Sequence, residues 1–239
     1  MGGYWRIRGI GSTLTNPMDK FLKKEQVVKY LILHIIFRLS SVITRFPHKY
    51  INNMKKSDSM LGKWDKWYTN ISKKDIGAFL YGDTETYKHA SSFLSDMKKV
   101  EDWGCGTGGF KRYYQGKYIG IDGSNNPFVD KVVDLRKYKS KVDGIIMRHV
   151  LEHNYDWESI LQNAIESFQK KFCLILFTPF GIKTKEIAHN LKYGVDVPDI
   201  SFKRSDIEKN FKNLKWECMD NIPTQTGYGV EHIYYVEKK

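Results

Sequence analysis

Apolar and polar positions after residue 100 alternate between two kinds of segment. Short apolar runs occupy Tyr118–Ile121, Lys131–Val133, Gly144–Met147 and Cys173–Phe177. Between the last two runs, Trp157–Phe168 carries apolar residues three and four positions apart, which predicts a helix. Apolar strands that alternate with helices are typical of a parallel sheet covered on both faces, so an α/β fold is predicted.

Three further segments extend this pattern in both directions along the chain. Upstream, the spacing of apolar residues predicts a helix over Thr84–Met97. Downstream, Lys215–Met219 and His232–Val236 predict two more strands, joined by a connection that contains proline and glycine. Residues 61–239 therefore fit one domain with a single sheet.

Residues 1–60 differ from the rest and are predicted to be a basic N-terminal extension with a helix. Val27–Ile43 is the most apolar segment, but Lys29, His34 and Arg38 interrupt it, so no run of 18 apolar residues exists. A spanning helix is disfavoured on that ground. The segment fits a buried packing helix or peripheral contact with a membrane surface, and a signal anchor is the third alternative.

Charge and cysteine content limit the partners and the compartment. The net charge is +12, and residues 1–60 hold eleven Lys and Arg residues against three acids. This extension is either a solvated basic face or a surface for phospholipid, nucleic acid or phosphorylated glycan. The three cysteines form no CxxC pair, so neither a disulfide framework nor a zinc site is indicated, and we expect a reducing, cytoplasmic compartment, with membrane association as an alternative.

The segment VEDWGCGTGG carries the strongest local signal. Glycines at alternate positions, Gly104, Gly106 and Gly108, follow a predicted strand and permit a turn in close contact with a ligand. With Gly109 they also satisfy GxGxxG, the dinucleotide pattern, so the glycines alone are ambiguous. Asp102 favours a ligand with a cationic end, because a carboxylate beside a pyrophosphate would be repulsive.

Acids also follow the next two predicted strands. Asp122 ends YIGID and is suited to accept hydrogen bonds from a ribose diol, and Asp134 in VVDL is suited to accept from an adenine amino group. Each acid taken alone could equally be a helix cap or a turn residue. Three acids at three successive strand ends favour a binding function.

The motifs EDWGCGTGGF, YIGIDGS, VVDL and MRHVLEH resemble class I S-adenosylmethionine (SAM)-dependent methyltransferases, of the group with a "vLEH" turn after the fourth strand. The resemblance covers Val100–Pro179. It implies a Rossmann-like, mostly parallel seven-stranded sheet with helices on both faces and an antiparallel last strand. It also implies SAM as the cofactor. Trp103, where the family usually carries an aliphatic residue, is a mild departure.

The resemblance assigns roles to individual residues. The glycines at 104, 106 and 108 would line the amino-acid and ribose portions of SAM, Asp122 would hold the ribose, and Asp134 the adenine. Arg148 and His149 would border the methyl group. The predicted cofactor-binding residues are Asp102, Gly104, Cys105, Gly106, Gly108, Asp122, Gly123, Ser124, Asp134, Leu135 and Arg148. No metal ligands are predicted.

The methyl acceptor is less clearly encoded. His149 and His153 are the candidate bases for a hydroxyl acceptor, although a histidine in a "LEH" turn can also orient the chain. The polar segment from Thr178 to Phe202 would form the acceptor wall, and the aromatic residues around Trp64 would form either a lid or ordinary core. O-methylation of a sugar, glycan or other small hydroxylated molecule is the leading interpretation. A nucleic-acid methyltransferase, a non-catalytic SAM-binding or membrane-associated protein, and an NAD-dependent oxidoreductase are the alternatives.

Overall fold

The computed structural model describes residues 61–70, 85–191 and 195–239. The predicted N-terminal extension, with its apolar segment Val27–Ile43, lies outside these residues and stays a prediction, as does the domain boundary at residue 60. Within the described residues, no helix is long and apolar enough to cross a membrane. Cys105 and Cys173 are both free and buried, as the sequence predicts.

Nine strands and four α-helices are described. The strands are β1 Lys99–Trp103, β2 Lys117–Asp122, β3 Lys131–Val132, β4 Val142–Arg148, β5 Phe168–Leu176, β6 Lys185–Asn190, β7 Val197–Ser201, β8 Lys215–Pro223 and β9 Val230–Glu237. The helices are α1 Asp65–Asn70, α2 Glu85–Phe93, α3 Trp157–Ser167 and α4 Arg204–Glu208.

Seven strands form one sheet in the order β3-β2-β1-β4-β5-β9-β8. All neighbouring pairs are parallel except those of β9, which runs antiparallel to β5 and to β8. The predicted Rossmann-like, mostly parallel sheet with an antiparallel last strand is therefore confirmed. Its central strand order reverses between β1 and β4, which is where open α/β sheets form a ligand crevice.

Both faces of the sheet are buried, because successive residues of a strand point to opposite sides. In β4, Ile145 and Met147 belong to one apolar cluster and Ile146 to the other. Helix α3 packs on the first face through Ile160 and its neighbours, and the α2 segment packs on the second through Ala90 and the residues that follow it. The continuous apolar strands of the sequence follow from this two-sided burial.

Strands β6 and β7 form a separate two-stranded antiparallel sheet. The sequence pattern predicts this region only as a polar acceptor wall, without strands. A register shift between Glu186 and Ala188 breaks the alternation that would have indicated a strand. All five residues of Val197–Ser201 are buried, including Asp199, so this hairpin is folded tightly onto the domain.

Candidate active site

A cavity opens at the carboxyl ends of β1, β2 and β4. Its walls come from the glycine turn after β1, the loops after β2, β3 and β4, residues 63–68, and Tyr87 of α2. The lining residues are Lys63, Trp64, Trp67, Tyr68, Tyr87, Gly104, Cys105, Gly106, Thr107, Asp122, Gly123, Leu135, Arg148, His149, Val150, His153 and Asn154. Nine of the predicted site residues are among them.

The glycine turn needs its glycines for two reasons. Gly104, Gly106 and Gly108 all have positive φ, at 75°, 54° and 68°, a region that side-chain-bearing residues rarely adopt. A Cβ atom on Gly104 would also come within 2.3 Å of Val150 Cγ2. The turn is fixed to β2 because the backbone N–H of Gly104 donates to the Ile121 carbonyl at 2.7 Å.

Asp122 presents a buried carboxylate to the cavity. It accepts a hydrogen bond from the Gly106 backbone N–H at 3.0 Å and one from the Ser124 backbone N–H at 2.9 Å. Burial raises its pKa, and these backbone donors act in the opposite direction. A carboxylate offers about four lone-pair positions, so two donors leave capacity for ligand hydroxyls.

Two of the predicted cofactor residues support the turn from outside the cavity lining. Asp102 is buried beneath the glycines and accepts a hydrogen bond from the Tyr118 hydroxyl at 3.0 Å. Burial raises the pKa of Asp102 to about 7. A Cβ on Gly108 would meet Phe128 Cβ at 3.1 Å, so this glycine allows the turn to pack on the following loop.

The Asp134–Leu135 pair is divided between two environments. Leu135 lines the cavity, whereas the Asp134 carboxylate is engaged by Arg136, whose Nη2 donates to it at 2.7 Å. This bond, with burial opposing it, lowers the pKa of Asp134. Asp134 therefore stands next to the cavity lining rather than in it, and its predicted contact with adenine stays a prediction.

Residues 62–68 form one wall of the cavity. The Gly62 N–H donates to the Gly123 carbonyl at 2.8 Å, and the Trp64 N–H donates to Ser124 Oγ at 2.8 Å. The predicted site residue Ser124 thus anchors this wall instead of lining the cavity. The Trp64 indole packs edge-on against the His153 ring, with centroids 5.3 Å apart.

Arg148 and His149 share one buried carboxylate. Glu231, on β9, accepts a hydrogen bond from Arg148 Nη2 at 2.6 Å and pairs with His149 Nε2. The guanidinium also lies over the ring of Tyr87, 4.4 Å from its centroid. His149 has a φ of 57°, unusual for a residue with a side chain, and such strain concentrates at functional sites.

His153 has a carboxylate partner of its own. Its Nδ1 lies 3.0 Å from the Pro198 carbonyl and 3.3 Å from Asp199 Oδ1, both on β7. Asp199 also accepts from the Tyr228 hydroxyl at 2.9 Å and from Asn190 Nδ2 at 2.8 Å. Burial alone would raise the pKa of Asp199, but these hydrogen bonds hold it below its ordinary value.

The structure brings both predicted histidines to the cavity and supplies carboxylates that the sequence did not single out as their partners. Glu231 and Asp199 lie 82 and 46 positions further along the chain from His149 and His153, so no local spacing connects them. Among the described residues, no group of three or more His, Cys, Asp or Glu side chains is arranged to hold a metal ion.

Three solved structures with a similar fold are described as methyltransferases. The 1,6-didemethyltoxoflavin-N1-methyltransferase of Burkholderia thailandensis is 14% identical over 73% of this chain and 90% of its own, with a TM-score of 0.52. The magnesium protoporphyrin IX methyltransferase of Synechocystis PCC 6803 is 18% identical over 74% and 94%, with a TM-score of 0.50. A putative methyltransferase of Haloferax volcanii, in complex with the Trm112 activator, is 14% identical over 75% and 97%, with a TM-score of 0.51.

The sequence matches a family as well as a fold. No curated protein matches the chain significantly in sequence. Residues 84–218, more than half of the chain, match the family described as a methyltransferase domain. Together with the confirmed sheet order and the glycine turn at its crevice, this match identifies the chain as a member of the class I SAM-dependent methyltransferase family.

Proposed function

We propose that this methyltransferase transfers the methyl group to a hydroxyl oxygen of a small polyhydroxylated acceptor, a sugar or a glycan. The observation that carries the proposal is the His153–Asp199 pair at the cavity. A hydroxyl must lose its proton as the new bond forms, and a histidine oriented by a carboxylate is suited to accept it.

The cavity residues fit the cofactor of the family. Gly104 and Gly106 have no side chains, so the cofactor can lie close to the backbone of the turn. Asp122 has capacity for hydrogen bonds from ribose hydroxyls, and Leu135 offers an apolar contact for an adenine ring. When bound, SAM supplies a methyl group on a sulfonium, whose C–S bond breaks as the acceptor oxygen donates its electron pair. The chain's own contribution is to bind, orient and deprotonate the acceptor.

The tautomer of His153 follows from its neighbours. Both groups near Nδ1, the Pro198 carbonyl and the Asp199 carboxylate, accept hydrogen bonds and do not donate them, so Nδ1 carries the proton. Nε2 is then the basic nitrogen that takes the hydroxyl proton. Asp199 stabilises the imidazolium that results, because its charge is opposite and its position is fixed by Tyr228 and Asn190.

His149 is the weaker candidate for the base. Burial and the adjacent Arg148 guanidinium lower the pKa of His149 to about 3, although Glu231 acts in the opposite direction. A base works best when its pKa is near the working pH, and His149 is far from that condition. We assign His149 to hold the cavity edge in place with Glu231, and His153 to proton transfer.

The test is methyl transfer from SAM to a panel of mono- and oligosaccharides, followed by mass analysis of the methylated atom. We expect an O-methyl product, and His153→Gln should lower kcat by about 10²–10⁴-fold. Asp199→Asn should also lower kcat while leaving SAM affinity unchanged. The matched control is His189→Gln, because His189 also contacts carboxylates, Glu186 and Asp196, but does not line the cavity.

Two results would contradict the proposal. One is full activity in His153→Gln, which would remove the base from the mechanism. The other is methylation of a ring nitrogen in RNA or DNA oligonucleotides assayed in parallel, with saccharides left unmodified. Such a nucleic-acid activity would show affinity that falls steeply as salt rises.

A further inference from the structure

Lys63 is a half-buried cation in the cavity wall. Its ammonium donates to the His153 carbonyl at 2.7 Å and to Asn154 Oδ1 at 3.3 Å. Both acceptors are neutral oxygens, so among the described residues no direct ion pair balances the charge of Lys63. An ammonium has three N–H donors, and these two contacts use two of them.

The charged groups near Lys63 have partners of their own. Asp196 and Asp156 act on the ammonium from a distance, as does the positive Arg136. Asp196 is bonded to His189 Nε2 at 2.6 Å, and Asp156 is paired with Arg136 at 3.4 Å. The cavity side of Lys63 thus carries a positive charge that neighbouring side chains satisfy only in part.

We propose that Lys63 binds an oxyanion of the acceptor, so that the preferred acceptor class is a hydroxylated molecule carrying a carboxylate or a phosphate ester. The claim rests on the proposed function and names the acceptor class for the same site. Because the Lys63 ammonium donates to the backbone carbonyl of His153, an anion bound by this lysine would lie close to the proposed base. Charge-assisted hydrogen bonds from lysine to such groups are among the stronger polar contacts in proteins.

Lys63 lies outside the part of the chain that matches the family, which begins at residue 84. The wall is well anchored, because Gly62 and Trp64 donate hydrogen bonds to Gly123 and Ser124. A positive group on a fixed wall can select among acceptors, since it loses little entropy when the ligand binds.

The pH dependence of binding provides an independent test of whether the Lys63 ammonium binds the anion. Burial lowers the pKa of Lys63 to about 8, the nearby Asp196 acts against that change, and Arg136 adds to it. The ammonium is charged below this pH and neutral above it. Recognition of an anion should therefore weaken as the pH rises from 7 to 9, whereas an arginine at the same position would stay charged.

The experiment is calorimetric titration of the full chain, saturated with S-adenosylhomocysteine, with D-glucuronate, glucose 6-phosphate and D-glucose at pH 7 and pH 9. At pH 7 we expect one or both anionic sugars to bind at least tenfold more tightly than glucose. Preference for glucuronate alone indicates a carboxylate, and preference for the phosphate alone indicates a phosphate ester. Lys63→Met should abolish the preference, and Lys63→Arg should keep it at both pH values.

The control is Lys66→Met, which removes an exposed lysine of α1 and should leave the preference intact. Equal affinity for charged and neutral sugars, or a preference that survives in Lys63→Met, would overturn the proposal. Affinity for S-adenosylhomocysteine, measured on each variant, verifies that the site is folded. Because these titrations need no methyl transfer, their failure is separate from a failure of the proposed O-methylation, which is judged by the methylated atom.

Discussion

Glu231 gives the sharpest test of how the cavity edge is held together. Its carboxylate is fully buried and joins Arg148, which is only 6% exposed, to His149. Glu231→Gln keeps the shape of the side chain and removes its charge, leaving the guanidinium without this counter-charge. Removing one partner of a buried ion pair costs about 3–5 kcal/mol. Since the glutamine oxygen still accepts one hydrogen bond, we expect a loss of about 3 kcal/mol in the free energy of unfolding.

The pH dependence of this loss has a definite sign. Burial alone would raise the pKa of Glu231, but the bonds from His149 and Arg148 bring it below its ordinary value of 4.5. Between the lowered value and the ordinary one, the unfolded chain binds more protons than the native chain. The stabilisation is therefore present at pH 7 and is lost as the pH falls below about 4.5. The difference between wild type and Glu231→Gln should shrink over the same range.

Urea unfolding followed by tryptophan fluorescence at pH 7 and at pH 4 measures both effects. The control is Glu237→Gln, which breaks the exposed 3.0 Å pair with Lys215 and should cost less than about 1 kcal/mol. A cost for Glu231→Gln no larger than that of the control would refute the assignment of a buried ion pair. A cost that grows as the pH falls would refute the sign of the linkage.

Two other variants test neighbouring features of the cavity. Gly106 has a φ of 54°, and a Cβ there would lie 3.4 Å from the Tyr68 hydroxyl. Gly106→Ala should therefore weaken S-adenosylhomocysteine binding at least tenfold in calorimetry. Unchanged affinity would mean that the turn tolerates a side chain. Burial and the adjacent Arg148 lower the pKa of His149 to about 3, from an ordinary value of 6.5. In unfolding titrations, the stability should therefore decrease as the pH is lowered from 6.5 to 3. His149→Gln should flatten that slope, and an equally steep curve in the variant would be evidence against a buried neutral imidazole.

The sheet was predictable because its signal is local. Segments such as Gly144–Met147 and Cys173–Phe177 are apolar on both faces, and the structure places them in β4 and β5 between two apolar clusters. The glycine turn was predictable for the same reason, since positive φ and close packing require glycine at fixed spacing. Strand ends were less accurate, and β5 begins five residues earlier than its apolar run.

The partners of the histidines were not predictable from the sequence. Glu231 is a single acid at the start of a strand, which on its own indicates an exposed position, yet the fold buries it against Arg148 and His149. Asp199 belongs to a hairpin whose alternation is broken by a bulge. Both pairings depend on strands that meet only after the sheet and the hairpin have formed, and sequence spacing carries no record of such contacts.

The role of the wall formed by residues 62–68 was not predictable from the sequence, for a different reason. Its aromatic residues fit either a lid or ordinary core, and the sequence could not decide between the two. The structure places Trp64 and Tyr68 in the cavity lining, and the backbone N–H groups of Gly62 and Trp64 bond to the loop after β2. Those bonds involve main-chain atoms and one serine side chain, so no residue pattern in this segment predicts them.

We expect the cavity at the carboxyl ends of β1, β2 and β4 to be the binding site for SAM. The most direct measurement is calorimetric titration of the purified chain with SAM, S-adenosylhomocysteine and NAD, with Asp122→Ala as the variant and circular dichroism to verify its fold. We predict binding of both adenosyl-sulfur ligands, a loss of at least tenfold in affinity in Asp122→Ala, and no binding of NAD. Folded protein that binds neither SAM nor its product, or that binds NAD in their place, would contradict the account.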